Sequence, residues 1–72
     1  MIVKPKGYRQ LIGMTQVELA DKFGISVQSL RKKEKGLIAY NDAEKLIFRN
    51  LIRERAFKDI TIDDIFFSSE VS

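Results

Sequence analysis

Apolar positions along the chain recur at three- and four-residue spacing, the period of a helix face rather than of a strand. Tyr8, Leu11 and Ile12 form the first group, and Leu19, Ala20 and Phe23 the second. Ala43, Leu46, Ile47 and Leu51, with Asn50 in register, form the longest, and Ile62, Ile65 and Phe66 the last. Period-two alternation is confined to Ile60-Thr61-Ile62, too short to carry a sheet. Start signals precede the groups. Thr15 with Glu18 matches a capping box, Asn41 with Glu44 a looser version, Ser26 can cap a helix, and Thr61 precedes Asp63 and Asp64 at the positive end of a helix dipole. Gly13, Gly24 and Gly36 stand where helices stop. The pattern predicts an all-α fold of five helices, over residues 6–12, 16–23, 27–35, 42–55 and 62–67. Residues 1–67 form one domain in this reading, with 68–72 as a loose tail.

Composition narrows the class. With 72 residues the chain has room for one domain, which buries only about 60% of its unfolded surface. It has no Cys and no His, so neither a disulfide nor a zinc site can staple it. No apolar run approaches the roughly 20 residues of a membrane span; the longest is Leu37–Tyr40. The stretch Met1-Ile2-Val3-Lys4-Pro5-Lys6 lacks the apolar core of a secretory signal, so a cytoplasmic protein is expected. The net charge of +3 conceals a split: residues 1–36 carry eight basic and three acidic side chains, residues 37–72 five and seven. A basic half suggests a surface that faces a polyanion.

The chemistry follows from one spacing. Helices 16–23 and 27–35 are separated by Gly24-Ile25-Ser26, a three-residue turn containing Gly. That is helix-turn-helix spacing, in which the second helix enters a DNA major groove. Gly24 leaves the first helix in a backbone state that a β-carbon resists. Ile25 can plug the angle between the helices, and the small Ala20 lets them approach.

On these residues the chain resembles a known family. Met14-Thr15-Gln16-Val17-Glu18-Leu19-Ala20-Asp21-Lys22-Phe23-Gly24-Ile25-Ser26 is similar to the signature of the Cro/CI-type (XRE) helix-turn-helix regulators. Glu34-Lys35-Gly36 resembles their E-x-G, and Thr61-Ile62-Asp63-Asp64-Ile65-Phe66 their final helix. Ile60-Thr61-Ile62-Asp63-Asp64-Ile65-Phe66-Phe67 and Lys33-Glu34-Lys35-Gly36 resemble the short Cro-like regulators of Gram-positive temperate phages, and the length and pattern resemble their modulator-of-repression proteins. The resemblance implies a lambda-repressor-like domain in a lysis–lysogeny switch, in the cytoplasm of a bacterial host. It implies that Gln16 contacts phosphate and braces the second helix, and that bases are read by Val27, Gln28 and Ser29, with Lys32 one turn on. Gln suits adenine, and Val the thymine methyl. Ser26 opens this helix, and Arg31 and Lys35 suit backbone phosphates. Lys4, Lys6 and Arg9 can add salt-sensitive affinity. The partner is double-stranded operator DNA, met by a homodimer. The alternative is a CI-type repressor protein, which the basic helix would grip as an anti-repressor. Lys33 departs from the family, which usually has an apolar residue there; a Lys can bury its stem and snorkel.

Other chemistry is poorly supported. Without His or Cys, and with no Ser beside a visible base, the usual nucleophile and general-base arrangements are missing, so no enzyme, substrate or cofactor is expected. Asp63 and Asp64 have no third ligand at metal-loop spacing. Ile65, Phe66 and Phe67 are consecutive and cannot all face one side of a short helix, which makes them a candidate dimer or partner interface unless the two Phe fold back under Leu51 and Ile47 as core.

Overall fold

The computed structural model describes residues 4–66. Within them lie five helices: α1 (Pro5–Leu11), α2 (Gln16–Phe23), α3 (Val27–Glu34), α4 (Asp42–Arg55) and α5 (Ile62–Phe66). No strand occurs among the described residues. The boundaries follow local chemistry. Pro5 sits in the first turn of α1, where its missing N–H costs nothing. Thr15 and Glu18 form a reciprocal capping box at α2, and Asn41 and Glu44 another at α4. Thr61 and Asp64 exchange the same pair of bonds ahead of α5, each at 3.1 Å. Phe67 and the tail lie outside the described residues.

The core consists of Ile12, Met14, Leu19, Ala20, Leu30, Phe48, Ile52, Ile60 and Ile65. Beside it Phe23, Tyr40, Phe48 and Phe66 close an aromatic ring of contacts, with neighbouring centroids 5.0–6.3 Å apart. Such pairs add about 0.5–1.5 kcal/mol each beyond the area they bury. Two side chains close the far end. Arg53 Nε donates to the Ile60 carbonyl at 2.7 Å, and Arg55 Nη1 to that of Ile12 at 3.3 Å.

Three expectations about faces are corrected. On α1, Leu11 is 58% exposed and Arg9 is buried, because Arg9 has two partners inside. On α4 the buried stripe is Glu44, Phe48 and Ile52, while Ala43, Leu46 and Asn50 point outward. Its core face therefore contains a charge. That charge explains the third correction. Lys33 does not snorkel to solvent; its Nζ donates to Glu44 Oε1 at 2.6 Å and to the Ala39 carbonyl at 3.2 Å.

Candidate nucleic-acid interface

The turn between α2 and α3 takes its shape from Gly24, whose φ of 73° lies in the left-handed region. The Gly24 and Ile25 N–H groups then bond back to the last turn of α2, at 3.1 and 3.0 Å. Ile25 packs against the core, as does Val27, the first residue of α3. Ser26 caps α3: its Oγ accepts from the Ser29 N–H at 3.1 Å and donates to Ser29 Oγ at 3.0 Å.

Position along α3 then decides which side chains look outward. Leu30 is fully buried and pins the middle of the helix. Gln28, Arg31, Lys32 and Lys35 are exposed, at the i, i+3, i+4 and i+7 spacing of one helical face. Ser29 is half-buried at the edge of this strip. Val27 is half-buried as well, so it is not the free apolar surface residue its sequence position suggests.

The last turn of α3 is held by two ion pairs of opposite sense. Lys33 reaches α4 through Glu44, and Glu34 reaches α1 through Arg9 Nε at 2.7 Å. Arg9 also donates from Nη1 to the Met14 carbonyl at 2.9 Å. Gln16 links this buried network to the surface. Its Nε2 donates to Glu34 Oε1 at 3.0 Å, and its Oε1 accepts from Arg31 Nε at 3.2 Å. A chain of bonds thus runs Arg9–Glu34–Gln16–Arg31 and holds the exposed guanidinium through its Nε. Lys6, Gln16, Arg31 and Lys35 border a shallow depression there.

The structure redistributes the positive charge. Arg9, counted among phosphate-facing residues from sequence, is 6% exposed and committed to Glu34. Lys33 and Glu34 are both paired inward. What α3 shows to solvent is Arg31, Lys32 and Lys35, with Lys4 and Lys6 exposed on the α1 side. Sequence reasoning read Glu44 as a cap for α4 but missed its ion pair with Lys33, and it missed the pairing of Arg9 with Glu34. The usable signal was the departure at Lys33, which called for a carboxylate nearby.

Two of the three residues of the candidate C-terminal interface lie within the described residues. Ile65 is 2% exposed and belongs to the core, and Phe66 packs on Phe48 and Tyr40. Phe67 lies outside the described residues.

A capped helix pair with a glycine turn, a pinned second helix and a basic outer strip defines a DNA-binding module of the helix-turn-helix class. The helix-turn-helix family profile matches residues 6–44, and the chain belongs to that family, in its XRE-type branch of DNA-binding transcriptional regulators. No curated protein and no solved structure matches the chain. Among the described residues no helix is long and apolar enough to cross a membrane.

Proposed function

We propose that α3 reads operator DNA in the major groove, with Gln28 and Lys32 against base edges and Arg31 and Lys35 on phosphates. The observation that carries this is the exposed strip Gln28, Arg31, Lys32, Lys35 on a helix anchored behind by Leu30 and by both ion pairs. A rigid helix loses little freedom on docking, so its contacts convert to affinity efficiently. Gln16 serves two ends, bracing Glu34 and aiming Arg31 at the phosphates beside the groove. Ser26 and Ser29 sit at the helix entry, where their hydroxyls bond to each other. A homodimer on a two-fold operator fits the class, and a phage lysis–lysogeny switch in a bacterial cytoplasm is the setting suggested by the resemblance of residues 60–67 to short phage regulators.

The rival reading, a modulator gripping a CI-type repressor through α3, rests on the resemblance to modulator-of-repression proteins, with the atypical Lys33 and an apolar Val27 as further grounds. Val27 packs against the core and Lys33 is paired, so those two residues do not add to the resemblance.

The test is fluorescence anisotropy of labelled duplexes, drawn from a random-sequence selection, titrated at several salt concentrations. Gln28→Ala is expected to cost about 1–3 kcal/mol on the selected site and to relax preference at one base pair. Equal affinity of the variant and the parent for every duplex would remove Gln28 from base reading. If the protein binds no duplex unless a repressor is added, the operator reading fails.

A further inference from the structure

A groove of about 450 Å³ opens beside the C-terminal end of α3, away from the Gln28 side of the strip. Leu37, Ile38, Tyr40 and Phe66 are among the residues that line it, together with Lys4 and Lys35. Its size falls within the roughly 300–1,000 Å³ typical of sites that enclose small ligands or short segments.

Three features of this groove are unusual for plain surface. Leu37 is 69% exposed and Ile38 43%, although they are adjacent aliphatic residues on the same lip. The backbone N–H groups of Ile38, Ala39 and Tyr40 donate to no protein acceptor among the described residues. Two nearby carboxylates are already matched: Glu34, which lines the groove, pairs with Arg9, and Glu44 pairs with Lys33. Lys4 and Lys35 have no carboxylate partner among the described residues.

We infer that this groove is a docking site for an acidic, leucine-bearing peptide segment of another protein. The argument is charge complementarity joined to shape. Apolar side chains of the segment cover Leu37 and Ile38 against the Tyr40 and Phe66 rings. Its carboxylates meet Lys4 and Lys35, and its carbonyls accept from the orphan N–H groups along residues 38–40, as in other modes of extended-peptide capture. DNA is the poorer occupant, because phosphates gain nothing from two exposed aliphatic side chains. This inference shares Lys35 with the operator reading but rests on Leu37 and Ile38, which lie outside the α3 strip.

The experiment uses the full chain and a short fluorescein-labelled peptide of alternating glutamate and leucine, with a lysine–leucine peptide as control. Saturable binding of the acidic peptide alone is expected. It should weaken about tenfold or more in the double variant Leu37→Ser/Ile38→Ser, and again in Lys4→Glu. Circular dichroism checks the fold, which exposed positions should not disturb. Anisotropy with duplex DNA should be unchanged in the double variant; a matching loss there would assign the lip to DNA and overturn the proposal. No saturable peptide binding, or binding indifferent to these substitutions, overturns it too. So does capture of decanoate in place of the peptide, which would mark a small-molecule site. Sedimentation that shows self-association lost in the double variant would make the occupant a second copy, with the same consequence.

Discussion

Lys33 Nζ lies 2.6 Å from Glu44 Oε1, a buried ion pair that ties the end of α3 to the first turn of α4. The same oxygen accepts from the Asn41 N–H at 3.0 Å, so one carboxylate caps α4 and anchors α3 at once. The Lys33 ammonium also lies 5.9 Å from the centre of the Tyr40 ring. One residue further, Glu34 makes the opposite pair with Arg9 on α1. Successive residues of one helix are thus held from two sides by charges of alternating sign.

Breaking a buried pair on one side leaves an uncompensated charge, which costs about 3–5 kcal/mol, whereas replacing both partners is often near neutral. Lys33→Met is therefore expected to lower stability in urea denaturation by about 3 kcal/mol. The double variant Lys33→Met/Glu44→Gln keeps the capping acceptor for Asn41 and removes both charges. It should recover most of the loss. A double variant as unstable as the single one would show that the pair, not the orphaned carboxylate, supplies the stability.

Arg9 and Lys35 are both basic residues of the first half, yet the structure gives them different work. Lys35 is exposed, and Arg9 is buried against Glu34 and the Met14 carbonyl. Lys35→Ala should reduce the salt slope of DNA binding by about one and leave stability nearly unchanged. Arg9→Met should do the reverse, lowering stability while the slope of the folded fraction stays the same. Anisotropy across a salt series, with denaturation curves on the same samples, separates the two; equal slope changes would return Arg9 to the phosphate contacts.

Tyr40 carries a pH prediction. Burial, and then the nearby Glu34 and Glu44 charges, push its phenol above the ordinary value of 10.0, against a smaller opposing effect of Arg9. An acid whose folded value is raised binds its proton more tightly in the folded state. Its stabilising share is complete below pH 10 and is lost as pH rises from there toward the folded value. Denaturation midpoints measured above pH 10 should therefore fall less steeply in Tyr40→Phe than in the parent. Parallel curves would mean that Tyr40 ionises as readily folded as unfolded.

The helices were legible because their signals are local. Caps and the left-handed glycine at Gly24 act within one turn, and the observed ends of α1 to α4 fall within a residue of those expected from sequence. The rotation of α4 was not legible. Ala43, Leu46 and Ile47 read as its inner face, but the inner stripe runs through Glu44, Phe48 and Ile52. A glutamate counts as polar in any periodicity, and its burial depends on a distant partner, Lys33, beside the local Asn41 N–H. Arg9 was misread for the same reason, since Glu34 lies 25 positions away. On the candidate interface, exposure of Gln28, Arg31, Lys32 and Lys35 follows from helical spacing alone, whereas Val27 depends on a core that periodicity does not locate.

The helix-turn-helix match ends at residue 44, but the folding unit extends further. Phe48, Ile52, Ile60 and Ile65, four of the nine buried apolar residues, lie beyond it. Fully burying such a side chain contributes about 1.5–3 kcal/mol. Losing four of them removes stabilisation comparable to the roughly 5–15 kcal/mol that holds a whole domain. It also strips Phe23 and Tyr40 of Phe48 and Phe66, two of the four rings in the aromatic cluster. A chain ending at Glu44 keeps α1, α2 and α3 and both ion-pair partners, yet it should show little helical circular dichroism and no cooperative melt, while the full chain shows both. A truncated chain that melted cooperatively would mean that capping and the ion pairs, rather than the α4 and α5 side of the core, hold the helix pair in place.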